Sequence, residues 1–431
     1  DYWVVKLDAN GNKQWDKTLG GSGGDQLFSL QQTADGGYIL GGSSWSAADI
    51  SGGKSENSRG ERDYWVVKLD ANGSIQWDKT LGGSANDELT SLQQTADGGY
   101  ILGGWSESDA DIAGGKSENS RGVSDYWVVK LDANGKRQWD KTLGGSGEDV
   151  LNSLQQTTDG GYILGGWSLS NADLDGGKSE NSRGFYDYWV VKLDANGKRE
   201  WDKTLGGSGV DGLTSLQQTN DGGYILGGGS SSAADISGGK SENSRGERDY
   251  WVVKLDANGS IQWDKTMGGS GEDYLSTLQQ TADGGYILGG ASYSNTDIAG
   301  GKSENSRENS LDYWIVKLDA AGNKQWDKTL GGSDYDWLGS LQQTTDGGYI
   351  LGGRSWSNAD IDGGKSENNR GLSDYWVVKL GCETSPPLVN LGPDRPLSCA
   401  APDTLRTYYA PTLSYRWYTL AAGVEDPVPG A

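Results

Sequence analysis

Short stretches in which apolar and polar residues alternate recur along the chain and predict β-strands. In the copy that begins at Asp63, YWVVKL at 64–69 is rich in aromatic and β-branched residues, and SIQWDKTL follows at 74–81. LTSLQQT at 89–95 and YILGG at 100–104 complete four strand candidates. Alternation with a period of two is typical of strands, and no stretch shows the period of a helix. The sequence therefore predicts an all-β protein.

Two kinds of connection join these strands. DANG at 70–73 and ADGG at 96–99 are tight hairpin signals, because Asn and Gly tolerate a positive φ. The other two connections are a short loop (22–27 in the first copy) and a long loop (43–62). In a four-stranded meander the two tight turns emerge on one face, so we expect both loops on the opposite face.

The four-strand unit is repeated. Six full copies fill residues 1–373, and a seventh stops after Leu380; the spacing is 62 residues, with one copy of 63. The opening Asp-Tyr-Trp recurs at Asp1, Asp63, Asp125, Asp187, Asp249, Asp312 and Asp374. Four strands per unit of this length predict a β-propeller. A solenoid is the alternative, but its repeats are typically about 20–45 residues long.

The repeat WVVKLDANG…QWDKTLGGS…SLQQTADGGYILGG resembles the repeat propellers of secreted and surface proteins of Bacteroidetes-type bacteria. The resemblance covers residues 1–380 and implies an extracellular location, secreted or at the cell surface. Such propellers often precede immunoglobulin-like modules and a type IX secretion signal, so the export route is implied by the resemblance alone. Analogy with related repeats places SLQQT innermost in each blade, followed outward by YILGG, YWVVKL and QWDKTL.

This strand order bears on the number of blades. The chain opens with the two outer strands of a blade and closes with 375–380, without an outer strand. If an upstream segment supplied the missing strands, the propeller would have seven blades, which is the count we favour. Six blades are the second choice, with the surplus strand used for closure or as a linker.

The repeat vocabulary ends after Leu380. Residues 381–387, which include two prolines, are expected to be a linker. Residues 388–431 contain VNLGPDRPLSC and SYRWY, which resemble the opening half of an immunoglobulin-like or PKD-like module. We expect strands at 388–391, 404–409 and 414–418. A segment of this length is too short to close a β-sandwich of about 100 residues, so we expect a truncated module.

The two cysteines, Cys382 and Cys399, lie outside the repeats. In an exported chain we expect them to form a disulfide, with two free thiols as the alternative.

Composition narrows the classes of function. The chain has no His and no Cys in its repeats, which excludes His-based triads, His general bases and zinc sites there. Its net charge of −23 repels phosphate backbones and anionic lipids, so we do not expect nucleic acid as a partner. We see no signal peptide and no apolar run long enough to insert directly into a membrane. Because the chain begins in mid-motif, we take it as a piece of a longer multidomain protein.

Differences among the copies are concentrated in the two loops. The long loop carries large aromatic residues at Trp45, Trp105, Trp167, Tyr293 and Trp356, whereas the fourth copy has Gly229. The short loop varies through Gln26, Glu88, Val150, Gly212, Tyr274 and Trp337. A uniform scaffold with varied loops on one face is typical of binding propellers. We expect these aromatic residues to bind a glycan or a protein; the alternative is drift, with the aromatic residues covering neighbouring blades.

The long loop also contains a nearly invariant segment, GGKSEN, that ends in Arg. Its residues, which in the first copy are Lys54, Glu56, Asn57 and Arg59, are expected to fasten a loop of about 20 residues that has no strand of its own. Identity in every copy favours this scaffold role over a single functional site.

Calcium is the one candidate cofactor. The third copy places Asp173 and Asp175 at alternate positions before a glycine, and Asp360 and Asp362 repeat the spacing in the sixth copy. Alternate carboxylates before a glycine turn match the start of a calcium loop. The pattern is only half met, because Ser182 stands where the bidentate Glu is expected.

An Asp also precedes each predicted inner strand. These residues, which we expect to cap backbone amides at the blade junctions or near the channel, are Asp25, Asp87, Asp149, Asp211, Asp273 and Asp336.

No residue is singled out as catalytic, since the blades are nearly interchangeable and LDANGNKQW does not match the sialidase Asp-box. We expect a non-enzymatic binding or adhesion head of an exported bacterial protein. A structural spacer without a ligand is the first alternative, and a carboxylate-dependent glycan-active enzyme is the second. A binder should show one groove or aromatic patch, a spacer none, and an enzyme a buried carboxylate pair.

Overall fold

A computed structural model describes residues 1–381, apart from 174 and 361, and two short strands near the C-terminus. The described repeats form antiparallel strands throughout, as the alternating sequence predicts. They contain no α-helix, and their only helical turns are two three-residue 3₁₀ helices, Ile236–Gly238 and Arg307–Asn309. No described helix has the length and apolar character needed to cross a membrane.

The strands group into successive sheets. An N-terminal hairpin comprises β1 (Tyr2–Leu7) and β2 (Lys13–Leu19). Blade one comprises β3 (Asp25–Gln32), β4 (Tyr38–Ser44), β5 (Asp63–Leu69) and β6 (Ile75–Leu81). Blade two comprises β7 (Asp87–Gln94), β8 (Tyr100–Ser106), β9 (Asp125–Leu131) and β10 (Arg137–Leu143). Blade three comprises β11 (Asp149–Gln156), β12 (Tyr162–Ser168), β13 (Asp187–Leu193) and β14 (Arg199–Leu205).

The later blades repeat this order. Blade four comprises β15 (Asp211–Gln218), β16 (Tyr224–Ser230), β17 (Asp249–Leu255) and β18 (Ile261–Met267). Blade five comprises β19 (Asp273–Gln280), β20 (Tyr286–Ser292), β21 (Asp312–Leu318) and β22 (Lys324–Leu330). Blade six comprises β23 (Asp336–Gln343), β24 (Tyr349–Ser355) and β25 (Asp374–Leu380).

The first strand of each blade lies innermost, as the analogy with related repeats implies. Leucine and glutamine side chains from all six first strands line the central channel, among them Leu92 and Gln93 of blade two. The short and long loops meet on one face, where the Asp87 amide donates to the Arg62 carbonyl at 2.7 Å. The predicted order of strands and the predicted loop face are both confirmed.

The protein is a six-bladed propeller, and the favoured count of seven is wrong. The described part of the chain has six inner strands, and the last blade has three strands there. The hairpin of β1 and β2 pairs with no other strand, because neither a first nor a second strand lies beside it in the described chain. The hairpin of β1 and β2 thus corresponds to the two outer strands of a blade, but without inner strands it does not form a blade.

Neighbouring blades pack through an apolar layer that the alternation of the strands produces. Val66 of blade one packs with Leu89, Leu92 and Trp127 of blade two, all of them buried. The Tyr64 hydroxyl donates to the Trp127 carbonyl at 2.9 Å, which satisfies a polar group inside this layer. The same cluster recurs at each later junction between complete blades.

Near the C-terminus, β26 (Tyr418–Ala421) pairs with β27 (Val424–Pro427) as a hairpin. The strands predicted at 388–391 and 404–409, together with Cys382 and Cys399, lie outside the described residues. The strand predicted at 414–418 meets the described hairpin only at Tyr418. The linker and the immunoglobulin-like or PKD-like module remain predictions.

Candidate ligand-binding face

A buried lysine fastens each long loop to its own blade. The Lys54 ammonium donates to the Thr80 hydroxyl at 2.7 Å and lies 5.3 Å from the centroid of the Trp65 ring. Asp78 accepts from the Trp65 indole at 3.1 Å and from the Ser55 amide at 2.9 Å. Five later copies repeat the stacking of the lysine on the tryptophan. Burial lowers the pKa of its counterpart Lys240 to about 8.

Two further residues of the invariant segment tie the loop. The Asn57 side chain accepts from the Ala48 amide at 2.8 Å, which closes the loop on itself. Arg59 reaches Asp111 in the next blade, with 3.9 Å between charged atoms. These contacts explain why the segment hardly changes, and they agree with the scaffold interpretation.

A pair of buried aspartates stands at each junction between blades. Asp87 accepts from the Gly83 amide at 2.7 Å and from the Ser108 hydroxyl at 2.8 Å, so it caps the short loop as expected. A Cβ at Gly82 would collide with Asp63 Oδ1 and lie 2.7 Å from Asp87 Oδ2, so the two carboxylates are close neighbours. The Oδ1 atom of each has no hydrogen-bond partner. Burial, with repulsion from Asp87, raises the pKa of Asp63 to about 6.

These pairs do not mark one active site. Burial likewise raises the pKa of Asp125 to about 6, and that of Asp187 and Asp312 to about 7. The buried carboxylate pair that an enzyme was expected to show thus occurs at successive junctions, without access from solvent. Five equivalent buried pairs are a property of the scaffold, because catalysis needs a site that a substrate can reach.

Two of the candidate calcium ligands, Asp173 and Asp360, already have other partners. Asp173 accepts from the amides of Asp175 and Gly176 at 3.1 and 3.2 Å, and the Asp175 side chain is exposed. Asp360 faces the Arg307 guanidinium at 3.4 Å, and Arg307 also donates to the Asp362 carbonyl. Within the described ranges, no three acidic, His or Cys side chains are grouped to hold a metal ion.

The predicted aromatic residues occupy two repeat positions, not one loop tip. Trp105 and Trp167 belong to the second strands, where they pair with Tyr126 and Tyr188. Trp45, Tyr293 and Trp356 lie two positions later in the repeat, at the start of the long loop. The placement of Trp105 and Trp167 in the loop is therefore wrong, because strand pairing continues through the residue after the glycine pair.

The varied positions face each other across the first two strands of each blade. Val150 pairs with Trp167 in blade three, whereas Gly212 pairs with Gly229 in blade four. The rim of the loop face is therefore asymmetric, and blade four presents no side chain at either position. We call this bare pair of glycines, with the residue that covers it, the blade-four site.

Arg248 covers the bare glycines. A Cβ at Gly229 would collide with Arg248 Nε, and one at Gly212 would lie 3.2 Å from its Nη2 and 3.9 Å from the Trp167 ring. The guanidinium carbon lies 5.5 Å from the centroid of the Tyr274 ring in blade five. Arg248 thus lies over the glycine pair and near the Tyr274 ring of blade five, while Trp167 of blade three borders Gly212.

The cation of Arg248 is unpaired. No ion pair joins it to a described residue, and its buried Nε has no hydrogen-bond partner, although the residue as a whole is only partly buried. The corresponding Arg62 of blade one instead forms an ion pair with Glu88 and stacks 4.9 Å from the centroid of Trp45. The two arginines differ because Tyr274 replaces Glu88 at the matching position.

Aromatic residues continue from this site toward blade six. Tyr274 and Trp337 lie with ring centroids 5.2 Å apart, and the Arg354 guanidinium lies 5.8 Å from the centroid of Trp337 and 5.1 Å from that of Trp356. Tyr293 stands edge-on to Tyr335 at 6.1 Å. The structure thus brings Tyr274, Trp337 and Trp356 into one patch, with Tyr293 beside it.

The other predicted residues lie apart from this patch. The tilted rings of Trp167 and Tyr186 have centroids 4.5 Å apart, and Trp167 borders Gly212, whereas Trp45 lies at blade one and Trp105 at blade two. Sequence reasoning missed Arg248, Arg354 and Tyr186. A signal for Arg248 was present, since GERDYW occurs in both the first and the fourth copy but an acidic residue follows 26 positions later only in the first.

No protein-family model matches the chain. The regulatory protein FlaEY of Caulobacter vibrioides is 27% identical over 202 residues, which are 44% of this chain and 20% of that protein. The chain therefore spans about a fifth of that curated relative.

Several solved structures are similar at low sequence identity. A Bacteroides caccae protein of unknown function is 10% identical, with a TM-score of 0.37 over 76% of this chain and 93% of that one. Puromycin hydrolase is 12% identical, with a TM-score of 0.43 over 82% and 46%. A putative gluconolactonase is 10% identical, with a TM-score of 0.36 over 78% and 90%. These likenesses concern the fold alone.

Proposed function

We propose that the protein is a non-enzymatic recognition head that binds an acidic sugar of a glycan at the blade-four site. The observation that carries this proposal is the unpaired Arg248, which lies over two glycines beside the Tyr274 ring, with Trp167 at the border of the same glycines. A guanidinium donates to a carboxylate in bidentate fashion, and aromatic faces stack on sugar rings. Secretion or display at the cell surface, as the sequence resemblance implies, belongs to the same proposal.

The asymmetry of the rim supports recognition over a spacer role. A spacer would need the same contacts in every blade, and the invariant lysine, asparagine and aspartate contacts supply them. The rim residues contribute nothing to these contacts, yet they differ from blade to blade. The net charge of −23 disfavours dense polyanions, so the expected ligand carries isolated carboxylates.

The test is a screen of the full chain against an array of neutral and acidic glycans. We expect saturable binding to glycans with an acidic sugar, weakened at least tenfold by Arg248→Ala because the ligand loses its cation. Arg62→Ala is the matched control. Because Arg62 is already paired with Glu88, this substitution should leave binding unchanged. Binding that survives Arg248→Ala would contradict the proposal. Absence of binding throughout the array would favour a spacer or a protein partner.

Repeating the screen in EDTA tests the calcium ligands. If Asp173 or Asp360 held calcium needed for binding, EDTA would abolish the signal, and added calcium would restore it. Because both carboxylates already contact amides or arginine, we expect no change.

A further inference from the structure

Among the described residues, the N-terminal hairpin connects blade six to blade one, with β1 at the position of a third strand. In β25 the Tyr375 ring stacks on Trp3 of β1, with centroids 4.9 Å apart, and its hydroxyl donates to the Trp3 carbonyl at 3.0 Å. On the other side of the hairpin, Tyr2 donates to the Trp65 carbonyl at 2.9 Å. The same Tyr-to-Trp contact joins the third strands of adjacent blades elsewhere. β1 therefore holds the place of a third strand that has no first or second strand.

The inner ring is open at this place, which we call the seam. Between consecutive inner strands a glutamine side chain accepts from a backbone amide at 2.6–2.7 Å. The accepting residues are Gln31, Gln93, Gln155, Gln217 and Gln279. Among the described residues, no such bond joins Gln342 of blade six to blade one. Six inner strands thus form an arc with one gap.

The two sides of the gap expose apolar surfaces that every complete junction covers. Leu30 of β3 is 49% exposed, whereas its counterparts in the other five blades are 6–7% exposed. In complete junctions such a leucine approaches a glycine of the preceding second strand; a Cβ at Gly41 would collide with Leu92. Gly352 of β24 has no atom within 4 Å of its Cβ position. The seam therefore has one leucine without its glycine and one glycine without its leucine.

The edge of β1 that faces the seam is also unpaired, since β1 pairs only with β2 among the described strands. In blade two, Tyr100 pairs with Leu131 and Ser106 with Asp125. The same register would place a second strand along β1, from a tyrosine opposite Leu7 to a serine opposite Asp1. An unpaired edge beside an apolar gap is suited to the addition of strands.

We propose that the seam binds a separate β-hairpin with the repeat's own inner pair of strands, such as the sequence of residues 87–106. Its leucine would cover Gly352, its glycine would receive Leu30, and its second strand would pair with β1. A second copy of this chain is less suited, because each of its six inner strands is already paired within its own blade. This proposal is independent of the blade-four site, which lies on the loop face.

The experiment uses the full chain and a synthetic peptide, DELTSLQQTADGGYILGGWS, labelled with fluorescein. We expect saturable anisotropy and a rise in the melting temperature on addition of the peptide. Gly352→Ala should leave the free protein folded, since nothing lies near the new methyl group, but should weaken binding at least tenfold because the peptide leucine needs that space. A peptide with Leu92 replaced by Lys is the matched control and should not bind.

Three results would overturn the proposal. The first is no binding by the wild-type protein, and the second is equal binding by Gly352→Ala. The third is strong protection of the amides of Phe28 and Leu30 from hydrogen exchange in the free chain. A dimer by mass would then identify a second copy as the occupant, and a protected monomer would identify residues 382–431.

Discussion

A complete junction between blades and the seam are built from the same repeat residues, yet they bury them to different extents. Val66 is fully buried at the first junction, whereas Val377, its counterpart in blade six, is 49% exposed. Tyr64 and Tyr375 differ in burial in the same way, although both donate to the carbonyl of a tryptophan. The comparison teaches that the Tyr-to-Trp contact does not require an inner hairpin, whereas burial of the apolar layer does.

The largest difference between the two regions should appear on truncation of the inner-strand leucine. Leu92→Ala leaves a cavity among Gly41 and its buried neighbours, so we expect a loss of about 3 kcal/mol in the free energy of unfolding. Leu30→Ala removes a half-exposed side chain and should cost less than about 1 kcal/mol. Urea denaturation of both variants measures the difference. Equal losses would mean that Leu30 is covered in solution.

The aspartate pairs should produce a smaller, pH-dependent difference. The pKa of Asp63 is about 6 in the folded protein and about 3.9 in an unfolded chain. Between these values the folded protein binds more protons, so stability falls as the pH rises from about 4 to about 6. Asp63→Asn keeps an oxygen acceptor for the Arg59 amide and removes the charge. It should therefore stabilise the protein by on the order of 1–2 kcal/mol at pH 7 and hardly at pH 4.

Asp374→Asn is the matched control at the seam, where no second aspartate of an inner strand is present among the described residues. Melting temperatures between pH 4 and 7.5 should be unchanged by this variant. This pH range lies above the titration of carboxylates such as Asp97. Burial raises the pKa of Asp97, but hydrogen bonds from Thr95 and Lys130 outweigh it and lower the pKa to about 2. A parallel pH profile for Asp63→Asn and the wild type would show that Asp63 titrates normally.

The smallest effect concerns the tyrosine hydroxyl. Tyr64→Phe leaves the buried Trp127 carbonyl without this donor, and we expect a loss of about 1 kcal/mol. Tyr375→Phe should cost less than about 0.5 kcal/mol, because water can replace the hydroxyl at the exposed seam. Thermal unfolding of the two variants compares them. A larger loss for Tyr375→Phe would show that closure of the ring governs global stability.

The sequence was sufficient to predict the strands of each blade, but it was insufficient to predict how many blades close the ring. The predicted strands at 64–69 and 100–104 are confirmed with ends that shift by one or two residues, since pairing extends to Asp63 and Ser106. Alternation and turn residues act locally, so one copy reveals them. The number of blades depends on whether β1 acquires inner partners, which no local pattern encodes.

The binding face shows the same limit. The aromatic residues could be identified from variation among copies. Whether each lies in a strand or in the loop depends on the residue at which the second strand stops pairing with the third. The blade-four site depends on two glycines that pair across adjacent strands. It also depends on an arginine that has Tyr274 where the corresponding arginine of blade one has an acidic partner. These relations join residues 17–36 positions apart, and the sequence alone does not place them side by side.

The Tyr375-to-Trp3 contact also affects the order of folding. Other Tyr-to-Trp contacts join residues 63 or 64 positions apart, but this one joins residues 372 positions apart. Closing so long a loop costs more chain entropy, and contacts of this kind form late. We therefore expect blades to assemble one upon the next from any starting point, with the ring joining last and opening first during unfolding.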